Sequence, residues 1–462
     1  MAGLSAPEDT ITAISTPPGE GGIGIVRLSG PEAAAIAHEV FASSRGRDIR
    51  DPRAGRVFHG AIVDEDGPID EVLVHVMRAP HSYTREDVVE INCHGGNGPL
   101  HAVLELVLTR GARLAAPGEF TKRAFLNGRI DLVQAEAVID RIRAQTQAGL
   151  RAASAAAGGV LSTTLHALAS TLADAQARIE AAVDFPEEDL PEFVDPALRG
   201  SLEEALARMR ALLATARQGR LYREGARAAI AGRPNVGKSS LFNALLRDAR
   251  AIVTSAPGTT RDTLEEVITI EGAPVRLTDT AGLREADGEA ERIGVDRARR
   301  ALEEADIVIL VLDASEPPRP DEEALGAEVA KLDTPAVLAL NKSDLAPGAP
   351  APPWGAEFDA VCRVSATEGT GLDGLEQALG RLLLGSEGAV SYGQGLITRA
   401  HQQDSLRRAA EALERLLGNF EASPEFLSLD LREAQHALGE ITGETTPDAV
   451  LDRIFSSFCI GK

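Results

Sequence analysis

Apolar residues in the first 120 positions recur every second residue in short runs. DTITAIST at Asp9–Thr16, IGIVRLS at Ile23–Ser29, EVLVHVM at Glu71–Met77 and DVVEINC at Asp87–Cys93 carry the alternation of half-buried strands. Helical periods fall near Pro31–Phe41 and Gly98–Arg110, so residues 1–120 read as one α+β domain. From Thr121 the texture changes. Residues 121–183 are rich in Ala, Leu, Gln and Arg, a long-helix composition. The acidic, proline-rich stretch Asp184–Pro196 predicts a loop, and a helix follows over about 198–219. Between 225 and 385 strand and helix signals alternate: ARAAIAG, SSLFNALL, VITI, VRLTDT, DIVILVLD, AVLALN, VCRVSA and GLDGLEQALGRLL. That alternation marks a doubly wound α/β sheet. Helical signals resume from Leu396.

The expected architecture is multidomain. An N-terminal α+β domain (1–120) precedes a discontinuous all-α helical domain (121–220 and 386–462). An α/β domain (221–385) is inserted between the two helical pieces. No internal repeat is evident.

Composition narrows the class. Of 462 residues, 44% are hydrophobic but only 3% aromatic, so the cores are built from Ala, Leu, Val and Ile. A formal net charge of -23 argues against a large basic footprint for duplex nucleic acid, though not against a local basic cleft. Cys93, Cys362 and Cys459 lie far apart without metal-ligand spacing, which fits a reducing, cytoplasmic setting. The N-terminus lacks the features of a signal peptide, and apolar runs such as Ile307–Leu312 are strand-sized, so no membrane span is expected.

Gly232–Ser239 reads GRPNVGKS, a complete G-x-x-x-x-G-K-S loop after an apolar strand and before a helix. Its glycines let backbone N–H groups curl around phosphate oxygens; Lys238 reaches the β- and γ-phosphates and Ser239 holds Mg²⁺. Asp279-Thr280-Ala281-Gly282 ends a later strand, where an Asp orders Mg²⁺ through water and a Gly N–H senses the γ-phosphate. At Asn341-Lys342-Ser343-Asp344, the Asp344 carboxylate accepts two N–H donors that guanine presents and adenine does not. Ser365-Ala366-Thr367 ends the last strand, with a backbone N–H for the guanine carbonyl. Four segments in register point to GTP and resemble the translation-factor-like GTPases. The candidate nucleotide contacts are Asn235, Val236, Gly237, Lys238, Ser239 and Ser240, then Thr254, Ser255, Ala256, Pro257, Gly258, Thr259 and Thr260, with the three later segments.

Many such GTPases carry a Gln after D-x-x-G to orient the attacking water; here Leu283 stands there. One reading is a slow switch that needs an outside activator. The other uses Asn235, three residues before Lys238: its amide oxygen ligates a monovalent cation, which does the electrostatic work of an arginine finger.

Taken with TPPGEGGIGIVRLSG, SYTREDVVEINCHGG, PGEFTKRAFLNGRIDLVQAEAV, IVTSAPGTTRD and the C-terminal FCIGK, the whole chain resembles the MnmE (TrmE) family. The resemblance implies a homodimeric, K⁺-dependent GTPase that works with an FAD-containing partner, MnmG (GidA). Together they place an aminomethyl or carboxymethylaminomethyl group on the 5-carbon of the wobble uridine of certain tRNAs. It implies GTP, Mg²⁺, K⁺ and 5-formyl-tetrahydrofolate or another one-carbon tetrahydrofolate as cofactors. It also implies Asn235, Thr254, Ala256 and Thr259 around K⁺, Ser239 and Thr260 on Mg²⁺, and Glu291 orienting the water. Folate falls to Arg27, Glu86, Arg129 and Lys462. Read from the residues alone, Glu291 is a solvated carboxylate and the folate set are surface charges.

Cys459 stands four from the end, but Gly461 and Lys462 fit a prenylation box badly. It reads as a buried hydrophobe after Phe455 and Phe458, or, by the resemblance, as a nucleophile or proton donor. Gly19–Gly24 matches G-x-G-x-x-G, yet strand-like residues follow it, which predicts a hairpin turn instead of a dinucleotide loop. Cys93-His94 reads as a strand end, since adjacent strand residues face opposite ways. The alternative function is a ribosome-assembly GTPase that acts as a binding switch, a class that usually carries a basic RNA-binding domain; none is obvious here.

Overall fold

The computed structural model describes residues 8–50, 56–184, 195–249, 265–279, 300–385, 393 and 395–462. The first sheet is built from β1 (Ile11–Ile14), β2 (Gly21–Ser29), β3 (Phe41–Ser43), β4 (Arg56–Val63), β5 (Pro68–Met77), β6 (Val88–Gly95) and β7 (Arg113–Leu114), with α1 (Ala33–Val40) and α2 (Asn97–Thr109) between strands. The strand order is β3-β4-β5-β6-β2-β1-β7. Neighbours are antiparallel except β1 and β7. Alternation decides the faces. Val72, Val74 and Val76 of β5 are buried and join Val26, Leu28, Val89 and Ile91 in a core with Ile36, Val40, Leu100, Val103 and Val107 of the two helices. Each such side chain contributes about 1.5–3 kcal/mol on burial. The glycine-rich run at 19–24 leads into β2 and not into a helix, as its strand-like continuation predicts. Cys93 is buried and His94 exposed on the same strand.

The helical stretch after residue 118 is four helices: α3 (Glu119–Leu126), α4 (Leu132–Arg143), α5 (Gln147–Ala157) and α6 (Val160–Asp184). The breaks follow local chemistry. Gly128 is left-handed, with φ 64. Thr146 caps α5 by accepting the Gly149 N–H at 3.0 Å. The single helix expected over 198–219 is instead α7 (Pro196–Ala214) and α8 (Ala216–Glu224). At Thr215 the amide turns to the Leu212 carbonyl (3.0 Å) and the hydroxyl bonds the same oxygen (2.7 Å), which interrupts the helical ladder.

The second sheet comprises β8 (Ala226–Ala231), β9 (Glu265–Ile270), β10 (Ala273–Asp279), β11 (Ile307–Asp313), β12 (Ala336–Asn341) and β13 (Ala360–Arg363), with helices α9 (Lys238–Ala249), α10 (Pro320–Val329) and α11 (Leu372–Leu384). Its order is β13-β12-β11-β8-β10-β9, parallel except for β9 against β10. Ile307, Ile309 and Val311 enter one core, while Val308, Leu310 and Leu312 enter another. That explains why β11 is apolar without alternation: both sheet faces are covered. Helices α12 (Ala400–Gly418), α13 (Pro424–Thr442) and α14 (Asp448–Ser456) complete the chain. The multidomain layout of α+β, helical and α/β parts is thus present.

The chain divides into two compact units. One takes residues up to Ile139 with Leu165–Asp195 and Glu411–Lys462; the other takes Asp140–Thr164 and Pro196–Ala410. No helix among the described residues is long and apolar enough to cross a membrane.

Candidate functional site

In the second unit the phosphate loop joins the carboxyl end of β8 to the amino end of α9, where the order of strands reverses around β8. Open α/β sheets bind ligands at such a point. Lys238 is buried, and its Nζ donates to the carbonyls of Gly232 (2.8 Å) and Arg233 (2.6 Å). The ammonium is therefore held inside the curl of its own loop. Val236 is buried, while Asn235, Ser239 and Ser240 are exposed at the loop and helix start. Asn235 is left-handed (φ 67), a conformation that Asn tolerates better than most residues.

Asn341, at the end of β12, ties three predicted segments together. It is buried; its Nδ2 donates to the Val236 carbonyl at 2.9 Å, and its Oδ1 accepts the Ala366 N–H at 3.1 Å. Gly237 (φ 94) lies so close that a Cβ there would collide with the Asn341 amide. Ser365 is buried, and its hydroxyl accepts the Glu368 N–H at 3.3 Å, which shapes the turn where Ala366 and the exposed Thr367 sit. Lys342 (φ 58) folds its Nζ onto Asp313 at 2.6 Å, leaving Asp344 half-buried beside it. Burial works to raise the Asp313 pKa, but the hydrogen bonds from Lys342 and Ser315 outweigh it and hold the carboxyl below its ordinary value. Asp279 ends β10 in register with Ile230 of β8, one strand over from the loop.

A second cluster forms in the other unit. Arg27 of β2 is paired with Glu90 (2.7 Å), lies over the Phe120 ring (5.6 Å) and donates to the Gly461 carbonyl (3.2 Å). The Gly461 carbonyl also accepts from Ser15 (3.2 Å), and the Cys459 carbonyl accepts the Gly118 N–H (3.3 Å). The last residues thus lie back against β2 and α3, with Lys462 half-buried next to the carbonyl that Arg27 holds. Glu86 accepts from Ser29, on the same face of β2 as Arg27, at 2.6 Å and from Arg123 at 3.2 Å. Arg129 stacks over Tyr83 with 4.8 Å to the ring centroid. Arg27 and Glu86 are half-buried and partnered, which corrects the surface-charge reading for those two, while Arg129 is exposed as that reading expects. Cys459 is exposed, which corrects the expectation of a buried hydrophobe.

Comparison with known proteins decides the family. Residues 10–129 match the family described as the GTP-binding protein TrmE N-terminus, and residues 132–459 match the MnmE helical domain. The tRNA modification GTPase MnmE of Chloroflexus aurantiacus is 50% identical over 460 residues, covering 98% of this chain and 100% of that protein. Those of Heliobacterium modesticaldum (46% over 473 residues) and Roseiflexus sp. (47% over 470 residues) each cover 98% of this chain and 99% of their own length. This chain belongs to the MnmE family of tRNA modification GTPases.

Across this MnmE-family chain, the structure brings together the phosphate loop, the Asn341 segment and the Ser365 segment. Arg27 and Lys462 come together at Gly461. Thr254, Ser255, Ala256, Pro257, Gly258, Thr259, Thr260, Thr280, Ala281, Gly282, Leu283 and Glu291 lie outside the described residues. Two groups escaped the sequence reading. Asp313 looks like the polar end of an apolar strand, and only the fold sets it against Lys342. Arg123 sits inside the quoted PGEFTKRAF run, but nothing in spacing shows that its side chain is 1% exposed between Asp9 (2.6 Å), Glu86 (3.2 Å) and Glu119 (3.1 Å).

Proposed function

We propose that this chain is a K⁺- and Mg²⁺-dependent GTP hydrolase. With an FAD-containing MnmG-type partner, it modifies the 5-carbon of the wobble uridine of certain tRNAs, adding an aminomethyl or carboxymethylaminomethyl group. The observation that carries the reading is the full-length likeness to tRNA modification GTPases, together with the complete G-x-x-x-x-G-K-S loop at Gly232–Ser239. An RNA-docking switch would not need that likeness to run through both flanking domains.

The residues present fit the groups invoked. The Lys238 ammonium donates to two carbonyls of its own loop, which holds it where a phosphate would sit. The exposed Asn235 amide and Ser239 hydroxyl are oxygen donors of the kind K⁺ and Mg²⁺ take. The bound cations would neutralise charge developing on the phosphates. Asn341 and Asp344 would orient the guanine, and Ala256, Thr254, Thr259, Thr260 and Glu291 would complete the cation shells and position the water. Arg27, Arg129 and Lys462 suit folate carboxylates, and Glu86 suits pterin N–H groups. Cys459 is assigned to the modification chemistry. The domain boundaries 1–120, 121–220, 221–385 and 386–462, the homodimer and a cytoplasmic setting belong to the same proposal.

Mass analysis of wobble uridines tests the whole. A strain lacking this chain should lose the modified uridine, regain it with the intact gene and fail to regain it with Lys238→Ala. Turnover of GTP should exceed that in Na⁺ by at least about tenfold in K⁺, a transition-state difference of about 1.4 kcal/mol. Asn235→Ala should erase the difference. Equal rates in both ions would remove K⁺ from the proposal.

A further inference from the structure

The second unit carries a groove of 670 Å³ where the turn into α5 and the end of α8 meet the amino ends of β8 and β11. It lies at the opposite edge of the sheet from the phosphate loop, which follows the carboxyl end of β8. Five arginines line it: Arg143, Arg220, Arg223, Arg227 and Arg276. Its carboxylates are Glu224, Glu304 and Asp306. In a chain of net charge -23, an excess of two positive charges (five less three) in one groove runs against the composition.

The carboxylates are already engaged. Glu304 pairs with Arg227 (2.9 Å) and Glu224 with Arg223 (2.9 Å), while Asp306 accepts the Arg227 backbone N–H (2.9 Å). The guanidinium groups of Arg220 and Arg276 make no ion pair or hydrogen bond to the described residues. Arg276 and Arg227 are register partners on the parallel strands β10 and β8. Like charges at such neighbouring positions repel, and Glu304 offsets Arg227 but leaves Arg276 uncompensated. Every cation in the groove is Arg, whose planar fork matches phosphate oxygens two at a time.

We propose that this groove docks the phosphate backbone of the tRNA substrate, with Arg220 and Arg276 as its principal contacts. The proposal rests on the reading of this chain as a tRNA-modification protein and adds where the RNA lies. A polyanion spanning elements of both α8 and the sheet touches the nucleotide-binding sheet at the end remote from GTP.

The test is fluorescence anisotropy of a labelled tRNA against the purified full-length chain, over a range of salt. Arg220→Glu combined with Arg276→Glu should weaken binding by at least tenfold. Arg220→Gln with Arg276→Gln should lower the slope of log K against log salt by about two, one per lost phosphate contact. Arg220→Lys with Arg276→Lys should recover most of the affinity. The control, Arg199→Glu with Arg208→Glu on exposed positions of α7, makes the same charge change elsewhere and should cost less than about twofold. Unchanged basal GTP turnover in every variant shows an intact fold. The proposal is overturned if the groove variants bind like the parent, if the control loses as much, if poly-glutamate displaces the tRNA at equal charge, or if the parent chain binds no tRNA. Wobble-uridine analysis separates the two readings. Modification lost on deletion but fully restored by the groove-reversal variant sinks the groove alone; modification unaffected by deletion sinks the function.

Discussion

Asn341 and Val236 are 105 residues apart, yet the Asn341 amide donates to the Val236 carbonyl at 2.9 Å inside the core. The same side chain accepts the Ala366 N–H. One buried amide therefore fixes the phosphate loop relative to the Ser365–Thr367 segment proposed for the base. Replacing it by Ala leaves a buried carbonyl and an N–H unsatisfied, each costing about 1–3 kcal/mol. Expressed in the nucleotide-competent arrangement of the loops, Asn341→Ala should weaken GDP and GTP binding by about 10- to 100-fold. Titration with a fluorescent guanine nucleotide reads this. Affinity within twofold of the parent would show that the loops hold their positions without the bridge.

The cysteines should react in a fixed order. Cys93 is buried, and that burial, with Asp70 nearby, pushes its thiol up to about 12. Burial likewise raises the half-buried Cys362. Cys459 is exposed. Since the thiolate is the nucleophile, iodoacetamide near neutral pH should label Cys459 first and leave Cys93 unmodified until the first sheet unfolds. Peptide mass mapping over time checks the order. Early labelling of Cys93 would contradict the packing described for β6.

These two cases show what was legible beforehand. Asn341 and the phosphate loop are read from sequence because their chemistry is local: a glycine turn, a strand end, a tetrapeptide. Strands β5, β11 and β12 were equally readable from their apolar runs. β3, β4 and β7 were not, since β3 and β7 are short and β4 mixes Arg, His and Gly into its alternation. The break at Thr215 was hidden because Thr is an ordinary helix residue and only its hydrogen bonds betray the turn. Ion-pair clusters such as that around Arg123 join residues over a hundred positions apart, and no local period encodes them.

Arg123 makes the acid behaviour of the first unit predictable. Hydrogen bonding from Arg113 leads the effects that hold Asp9 below its ordinary value. For Glu119 burial pushes upward, but hydrogen bonds from Arg113, Ala116 and Arg123 outweigh it and the carboxyl is lowered. A carboxyl lowered in the folded state contributes stability above its unfolded pKa, about 3.9 for an Asp and about 4.3 for a Glu, and loses it as pH falls through the folded value. Protection of β1 and α3 in hydrogen exchange should therefore decline below about pH 4. Glu119→Gln should flatten that decline. Arg123→Leu removes the one buried cation shared by Asp9, Glu86 and Glu119, leaving Arg113 on the first and last and Ser29 on Glu86, and breaking such a buried pair costs about 3–5 kcal/mol. Exchange in the peptide spanning 113–126 should then speed up by at least about a hundredfold at pH 7, with the second unit unchanged. A uniform change in both units would mean that the cluster is not local to the first sheet.

The C-terminal turn offers a test that separates the folate assignment from GTP chemistry. Gly461 is left-handed (φ 90), and a Cβ on it would run into the backbone of Ile14 and Ser15. Its carbonyl is the partner of Arg27 and Ser15. Gly461→Val should therefore lift the tail off β1 and β2, releasing both Arg27 and Lys462 from their shared position. The strain of a β-branched residue at positive φ adds about 1–3 kcal/mol to the clash. If Arg27 and Lys462 together hold the folate carboxylates, affinity for 5-formyl-tetrahydrofolate should drop by more than about tenfold, the loss of a charge-assisted contact of at least 1.4 kcal/mol. GTP turnover in K⁺ should stay near the parent rate, because Gly461 and the phosphate loop belong to different units. Calorimetric titration of folate beside a phosphate-release assay reads both. Parent-like folate affinity in Gly461→Val would detach Lys462 from the site; removing Lys462 alone then tells whether the lysine contributes from a free tail or not at all.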